Sequence, residues 1–149
     1  MGAKIDALLD TNVVIAMLVE EHEHHAPSLA LLTDSGGARY AVAAHSYAEA
    51  YSTLTRIGPS APFQFTPTEA WAGLESVRAV SALIGLSASQ SFEAIRGYAQ
   101  DGGIGARLYD RLIGEAAVAH DVPMIMTWNV RHMRGLFPGL SVVTPAERG

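Results

Sequence analysis

Two kinds of segment alternate along the chain: short apolar runs, and longer stretches in which apolar positions return every three or four residues. The first kind reads as buried strands and the second as helices with one inward face. Residues 5–9 form the first strand, Asp10 stands at its end, and Thr11 and Asn12 turn the chain into a helix over residues 12–20 carrying Val13, Val14, Met17 and Leu18. Ala26-Pro27 opens a second helix, which runs through Leu29, Leu31 and Leu32 to a Gly36-Gly37 stop. Residues 39–43, around Tyr40 and Val42, make the second strand. His45-Ser46 then stand where a cap is wanted for a helix over residues 47–57, with Tyr47, Ala50, Tyr51, Leu54 and Ile57 on its stripe. Residues 58–67, holding Pro59, Pro62 and Pro67, are a loop. Residues 68–83 repeat Trp71, Leu74, Val77 and either Ala79 or Val80, a stripe that suits a core or a dimer face. Residues 84–87 are a brief strand or a connector, and residues 89–100 a helix with Phe92, Ile95 and Tyr98 or Ala99 inward, stopped at Gly102-Gly103. Residues 104–120 align Asp110, Ile113, Gly114 and Ala117 on one face, where Gly114 and Ala117 leave room for close approach to a sheet. Residues 122–127 are a strand with Pro123 at its tolerated first position, ending in Thr127-Trp128-Asn129; a basic turn over 131–134 and a last strand over 140–143 follow.

Strands alternating with helices predict an α/β fold: a mostly parallel central sheet of four to five short strands, flanked by helices on both faces, with strand carboxyl ends gathered on one edge. At 149 residues the chain supports one well-buried core and is read as a single domain over 1–149. Apolar residues make up 49% and charged residues 17%, a globular composition that leaves room for surface covered by a partner. The absence of cysteine excludes disulfides, thiolate zinc sites and cysteine nucleophiles, and fits a reducing compartment. The longest apolar run, 13–19, falls short of the ~20 residues of a membrane span, and no charged leader opens the chain, so the expectation is a cytoplasmic protein without membrane attachment. A net charge of −5 excludes nucleic-acid binding through a globally basic surface, so a polyanionic substrate needs a local patch or a metal.

Candidate chemistry centres on three acids. In an open parallel sheet, ligands bind in the crevice beyond the strand carboxyl ends, so Asp10 faces that crevice; the competing reading is a helix cap. Glu49 falls just inside the first turn of its predicted helix, where the helix dipole alone also favours an acid. Asp110 shares a face with Gly and Ala and is pressed toward the protein, which is costly unless compensated. Carboxylates within ~4 Å repel by about 4 kcal/mol at an effective dielectric near 20. A divalent cation resolves that conflict, and an all-oxygen set with open positions suits Mg²⁺ or Mn²⁺. The segment 20–25 packs three histidines among three glutamates, but its tight alternation does not aim ligands at one point, and it reads as a solvated helix junction rather than a metal site. Arg107, Arg111, Arg131 and Arg134 are the candidates for a local phosphate patch, against ordinary surface charge. Trp128 either stacks a base or is packed.

Leu8-Leu9-Asp10-Thr11-Asn12, then Ser46-Tyr47-Ala48-Glu49, then Tyr109-Asp110-Arg111-Leu112-Ile113, then Thr127-Trp128-Asn129-Val130-Arg131-His132, follow one another along essentially the whole chain. In that order they resemble the motifs of the PIN-domain ribonucleases, and among them the VapC-type toxins of bacterial toxin-antitoxin modules. The resemblance implies that Asp10, Glu49 and Asp110 hold one or two Mg²⁺ ions, or Mn²⁺, with Thr11 or Asn12 and Thr127 steadying the site. Asn129 completes the candidate catalytic set and stands where many members carry an acid; an amide orients water or coordinates weakly but offsets no charge. The implied activity is metal-assisted hydrolysis of RNA phosphodiester bonds, with Glu49 or Asp110 taking the proton of the attacking water. Single-stranded or looped RNA is the expected substrate, because an edge crevice admits a splayed strand more easily than a duplex. The implied partners are a cognate antitoxin laid across the acidic crevice and a second copy of the chain, with the helix over 71–80 as the candidate dimer surface. Asn129 keeps open a second reading, a PIN-fold protein with a weak or inactive site that binds RNA or a partner. A phosphatase of the haloacid-dehalogenase kind would want an acid two residues after Asp10 and a downstream lysine, whereas the chain has Asn12 and its sole lysine at Lys4.

Overall fold

Ala7, Leu8 and Leu9 are wholly inaccessible to solvent, and the sheet is built outward from them. A computed structural model describes residues 4–147. Five strands, β1 (Ala7–Leu9), β2 (Tyr40–Ala43), β3 (Ala82–Ile84), β4 (Met124–Met126) and β5 (Ser141–Val143), form one sheet in the order β3-β2-β1-β4-β5. Every pairing is parallel, with Leu8 of β1 lying between Ala41 of β2 and Ile125 of β4. Seven α-helices are found among the described residues: α1 (Thr11–Leu18), α2 (His25–Thr33), α3 (Ala44–Thr55), α4 (Pro67–Ala79), α5 (Ala88–Gln100), α6 (Arg107–Ala119) and α7 (Val130–Leu136).

The two-residue period of a strand divides the core into two layers. Ala7, Leu9, Tyr40 and Val42 pack with Val13, Val14 and Met17 of α1, Leu31 of α2, Ala50 of α3, and Leu74 and Val77 of α4. Leu8, Ala41 and Ile125 face the other way, onto Ile113, Ala116 and Ala117 of α6 and Met133 and Phe137 at α7. Burial on both faces is why the strands appear in the sequence as continuous apolar runs. The strand order reverses at β1: the chain builds β2 and β3 on one side and returns through β4 and β5 on the other. Neighbouring β1 and β4 therefore send α1 and α7 to opposite faces, the arrangement of a switch point in an open parallel sheet.

Several local expectations are corrected. β2 runs into α3 without a loop, so His45 and Ser46 lie inside the helix rather than capping it, and the cap position is Ala43, which has no capping side chain. Glu49 consequently lies beyond the first turn, which holds no acid. Residues 131–134 are not a turn but the body of α7. Gly102 and Gly105 adopt positive φ of 77° and 73°, which keeps the segment before Arg107 out of α6. α4 stops at Ala79 because Ala82–Ile84 leaves to become the edge strand; Leu74 and Val77 are buried, whereas Trp71 and Val80 are exposed. In α5 the inward positions are Ala94 and Tyr98, with Phe92 and Ile95 turned to solvent. Gly114 makes room not for the sheet but for Phe137: a Cβ there would collide with that ring.

Candidate functional site

Asp10 is only 4% exposed and sits at the switch of strand order, between β1 and α1. Its carboxylate does both things the sequence left open. One oxygen accepts from the backbone N–H of Thr11 at 2.8 Å, as a cap, and the other accepts from Thr127 Oγ1 at 2.8 Å. Thr127, fully buried at the end of β4, is itself held: its hydroxyl accepts from Asn12 Nδ2 at 3.1 Å and from the backbone N–H of Asn129 at 3.0 Å. Asn12 Oδ1 accepts in turn from the Trp128 N–H at 3.0 Å. Thr11, Asn12 and Thr127 thus stitch the ends of β1 and β4 together around Asp10.

Thr11 Oγ1 donates to Glu49 Oε1 at 3.2 Å, which draws α3 to the same place. Burial raises the Asp10 carboxyl from its ordinary 3.8 to about 6; the Thr127 hydrogen bond pulls it back, and the charge of Asp110 and, less strongly, of Glu49 pushes it up again. Glu49 is raised chiefly by burial, against the pull of His45 and Thr11 and with a further push from Asp110. Asp110 is raised by burial and pulled down by His132 and Arg107. Asp10, Glu49 and Asp110, remote in sequence, therefore share one electrostatic neighbourhood.

Two residues the sequence reading did not single out complete it. His45 Nε2 lies 3.5 Å from Glu49 Oε1, and His132 Nε2 lies 3.3 Å from Asp110 Oδ2. Both nitrogens are buried and make no hydrogen bond among the described residues, so these are close approaches without hydrogen-bond geometry. The i, i+4 spacing of His45 and Glu49 is visible in the sequence, but it places the two side chains together only because α3 begins at Ala44, before His45. His132 carried no comparable signal, since only the approach of α7 to α6 brings it to Asp110.

Among the described residues no three His, Cys, Asp or Glu side chains form a ready-made ligand cage. The fit to a cation rests on donor chemistry: three hard carboxylates, each held above its ordinary pKa by burial, are relieved by a divalent ion that keeps its remaining waters.

The four arginines divide. Arg111 is engaged by Asp101 and Glu115, each at 3.2 Å, and Arg134 donates twice to the Val142 carbonyl, at 3.2 and 2.9 Å. Arg107 and Arg131 line a cleft of about 860 Å³ together with Asn129 and His132, and the cleft reaches Asp110 through Arg107 and His132. Trp128 is packed: its ring stacks on His24 with centroids 3.8 Å apart, and its Nε1 donates to Ser28 Oγ at 2.8 Å. The other histidines near it have structural partners too, since His25 Nδ1 donates to the Ala16 carbonyl at 2.8 Å and His22 Nδ1 accepts from the His24 N–H at 3.0 Å.

A doubly wound parallel sheet whose switch point holds mutually repelling carboxylates defines a class, that of α/β domains with an acidic site at the sheet edge. Within that class the chain belongs to the PIN domain family, whose model matches residues 7–134, from β1 into α7. Its fold is shared with a chain of VapBC2 from Rickettsia felis bound to a promoter DNA fragment, at 18% identity over 93% of this chain and 97% of that one, with a TM-score of 0.64. It is shared also with VapC20 of Mycobacterium tuberculosis, a sarcin-ricin loop cleaving toxin, at 13% identity over 80% and 87% of the two chains and a TM-score of 0.63. A toxin-antitoxin complex from Klebsiella pneumoniae gives 18% identity, 94% and 98% coverage and a TM-score of 0.62. No curated protein sequence matches the chain. No helix among the described residues is long and apolar enough to cross a membrane.

Proposed function

We propose that this protein is a Mg²⁺- or Mn²⁺-dependent endoribonuclease and the toxin of a toxin-antitoxin pair, acting on RNA in the cytoplasm. The observation that carries the reading is Asp10: a buried carboxylate at the switch point of a PIN domain, pushed up to about 6 while two further acids bear on it. Asp10, Glu49 and Asp110 are the residues that would hold the ion. When bound, a divalent ion supplies Lewis acidity toward water and phosphate oxygens near neutral pH. Thr127 and Thr11 fix the orientation of Asp10 and Glu49, so the carboxylates do not reorganise as the reaction proceeds. Glu49 or Asp110 would take the proton of the attacking water. Arg107 and Arg131 hold phosphates of the strand in the adjoining cleft, and Asn129, lining the same cleft, orients water or a phosphate oxygen. An antitoxin would cover this crevice with a basic side chain that answers the acids. Exposed Trp71, on a groove shared with Leu83 at the edge strand, supports a homodimer through α4.

The test is cleavage of a structured RNA by the purified protein with Mg²⁺ or Mn²⁺ and with EDTA, beside Asp10→Ala and Asp110→Ala. Cation-dependent cleavage that falls at least about 100-fold in both variants is the expected result. Unchanged activity in both overturns the assignment of the acids. Absence of cleavage by the wild type with either ion favours the binding-only reading that Asn129 left open.

A further inference from the structure

Immediately before Asp110, α6 carries an aromatic ring that the core does not use. Tyr109 is 44% exposed and belongs to none of the three apolar clusters. Its ring lies against the imidazole of His45, with centroids 5.2 Å apart and planes 20° from parallel. His45 is placed by α3 and lies 3.5 Å from Glu49. One face of Tyr109 is therefore backed by a side chain at the acidic site, which holds the ring in place, while the rest of it meets solvent. At ~100° per residue, Asp110 projects around α6 between Arg107 and Tyr109. Arg107 lines the cleft, so the Tyr109 ring lies on the other flank of the acids.

We infer that Tyr109, backed by His45, is a stacking platform for a nucleobase beside the scissile phosphate, on the side of the carboxylates away from the Arg107 and Arg131 cleft. The inference rests on the RNA-nuclease reading above. Every base has a π-face, so the platform positions the strand without reading its sequence, and a ring already fixed by its neighbour loses little freedom when a base lands on it. The strand then crosses the site held at two points, by charge on one flank and by stacking on the other.

The test is binding of a fluorescent single-stranded RNA of about ten nucleotides in EDTA. The full chain carries Asp10→Asn, which prevents turnover and removes one repelling charge. Tyr109, Tyr109→Phe and Tyr109→Ala are compared in that background, with Arg107→Ala as a phosphate control. The alanine variant should bind about 5- to 100-fold more weakly and the phenylalanine variant close to the parent. A strand of the same length made wholly of abasic units supplies a readout that a structural role would not move. Loss of the bases should weaken binding to the parent and leave binding to Tyr109→Ala unchanged. Weaker binding by Arg107→Ala with no effect of Tyr109→Ala overturns the platform and leaves the RNA reading standing. A parent that binds the abasic strand as tightly as the ordinary RNA also overturns it, even if Tyr109→Ala fails to fold. A parent that binds none of the RNAs overturns both.

Discussion

Asp10 is held where a carboxylate is costly. Folded Asp10 keeps its proton up to about 6, against an ordinary 3.8, so the folded state binds that proton more tightly than the unfolded chain does. The contribution is favourable while both states are protonated, and it is lost as pH rises from below the ordinary value through the folded one. Across that window the loss is on the order of 2–3 kcal/mol. Glu49 and Asp110, raised for the same reason, act in the same direction. In EDTA the melting temperature of the wild type should therefore fall between about pH 4 and pH 6.5. Asp10→Asn should melt higher than the wild type at pH 7.5, and the gap between the two should close at pH 4. The new amide keeps one of the two hydrogen bonds, its oxygen accepting from either the Thr11 N–H or the Thr127 hydroxyl, because that hydroxyl already accepts from Asn12 and from the Asn129 N–H; the lost bond, about 1 kcal/mol, offsets part of the gain. Equal melting temperatures for the two proteins at every pH would mean that Asp10 is solvated and carries no surplus charge energy.

The helices are positioned by a few close contacts, and α6 against α7 is the most exacting of them. Phe137, at the end of α7, rests where a side chain at Gly114 would be. Gly114→Ala should destabilise the protein by about 1–3 kcal/mol through overpacking, even though alanine is the better helix former. At about 2–4 °C per kcal/mol for a chain of this size, a calorimetric scan would resolve the loss. Adding Phe137→Leu should recover part of it, since residues in contact couple. α4 and α5 are secured differently, by capping boxes from Thr66 with Glu69 and from Ser87 with Gln90. Both boxes could be recognised from local sequence, because the polar cap and its answering side chain lie three residues apart. The start of α3 was misplaced for the opposite reason: nothing local announces that β2 passes straight into a helix.

For the molecule taken together, the acidic site is a store of repulsion that a ligand of opposite charge releases. Mg²⁺ or Mn²⁺ should raise the melting temperature of the wild type, by about 2.7 kcal/mol of stabilisation at a hundredfold excess over the dissociation constant. The gain should be larger at pH 7.5 than at pH 5, because the ion competes with the proton on Asp10. Asp10→Ala should show little of it; an equal rise in that variant would place the ion elsewhere. The strands, the helices and Asp10 at the end of β1 were legible in the sequence because each depends on a local rule: buried runs, a 3.6-residue period, a polar residue where a strand stops. The sequence alone therefore determined an α/β domain with Asp10 at the end of its first strand, and the order of motifs that places it among PIN domains. Which arginines face the cleft, that Trp128 is packed on His24, and that His45 and His132 lie against two of the carboxylates were decided only by tertiary structure. Those facts depend on the angle at which one element meets another, and that angle is set by contacts such as Phe137 on Gly114, between residues distant along the chain.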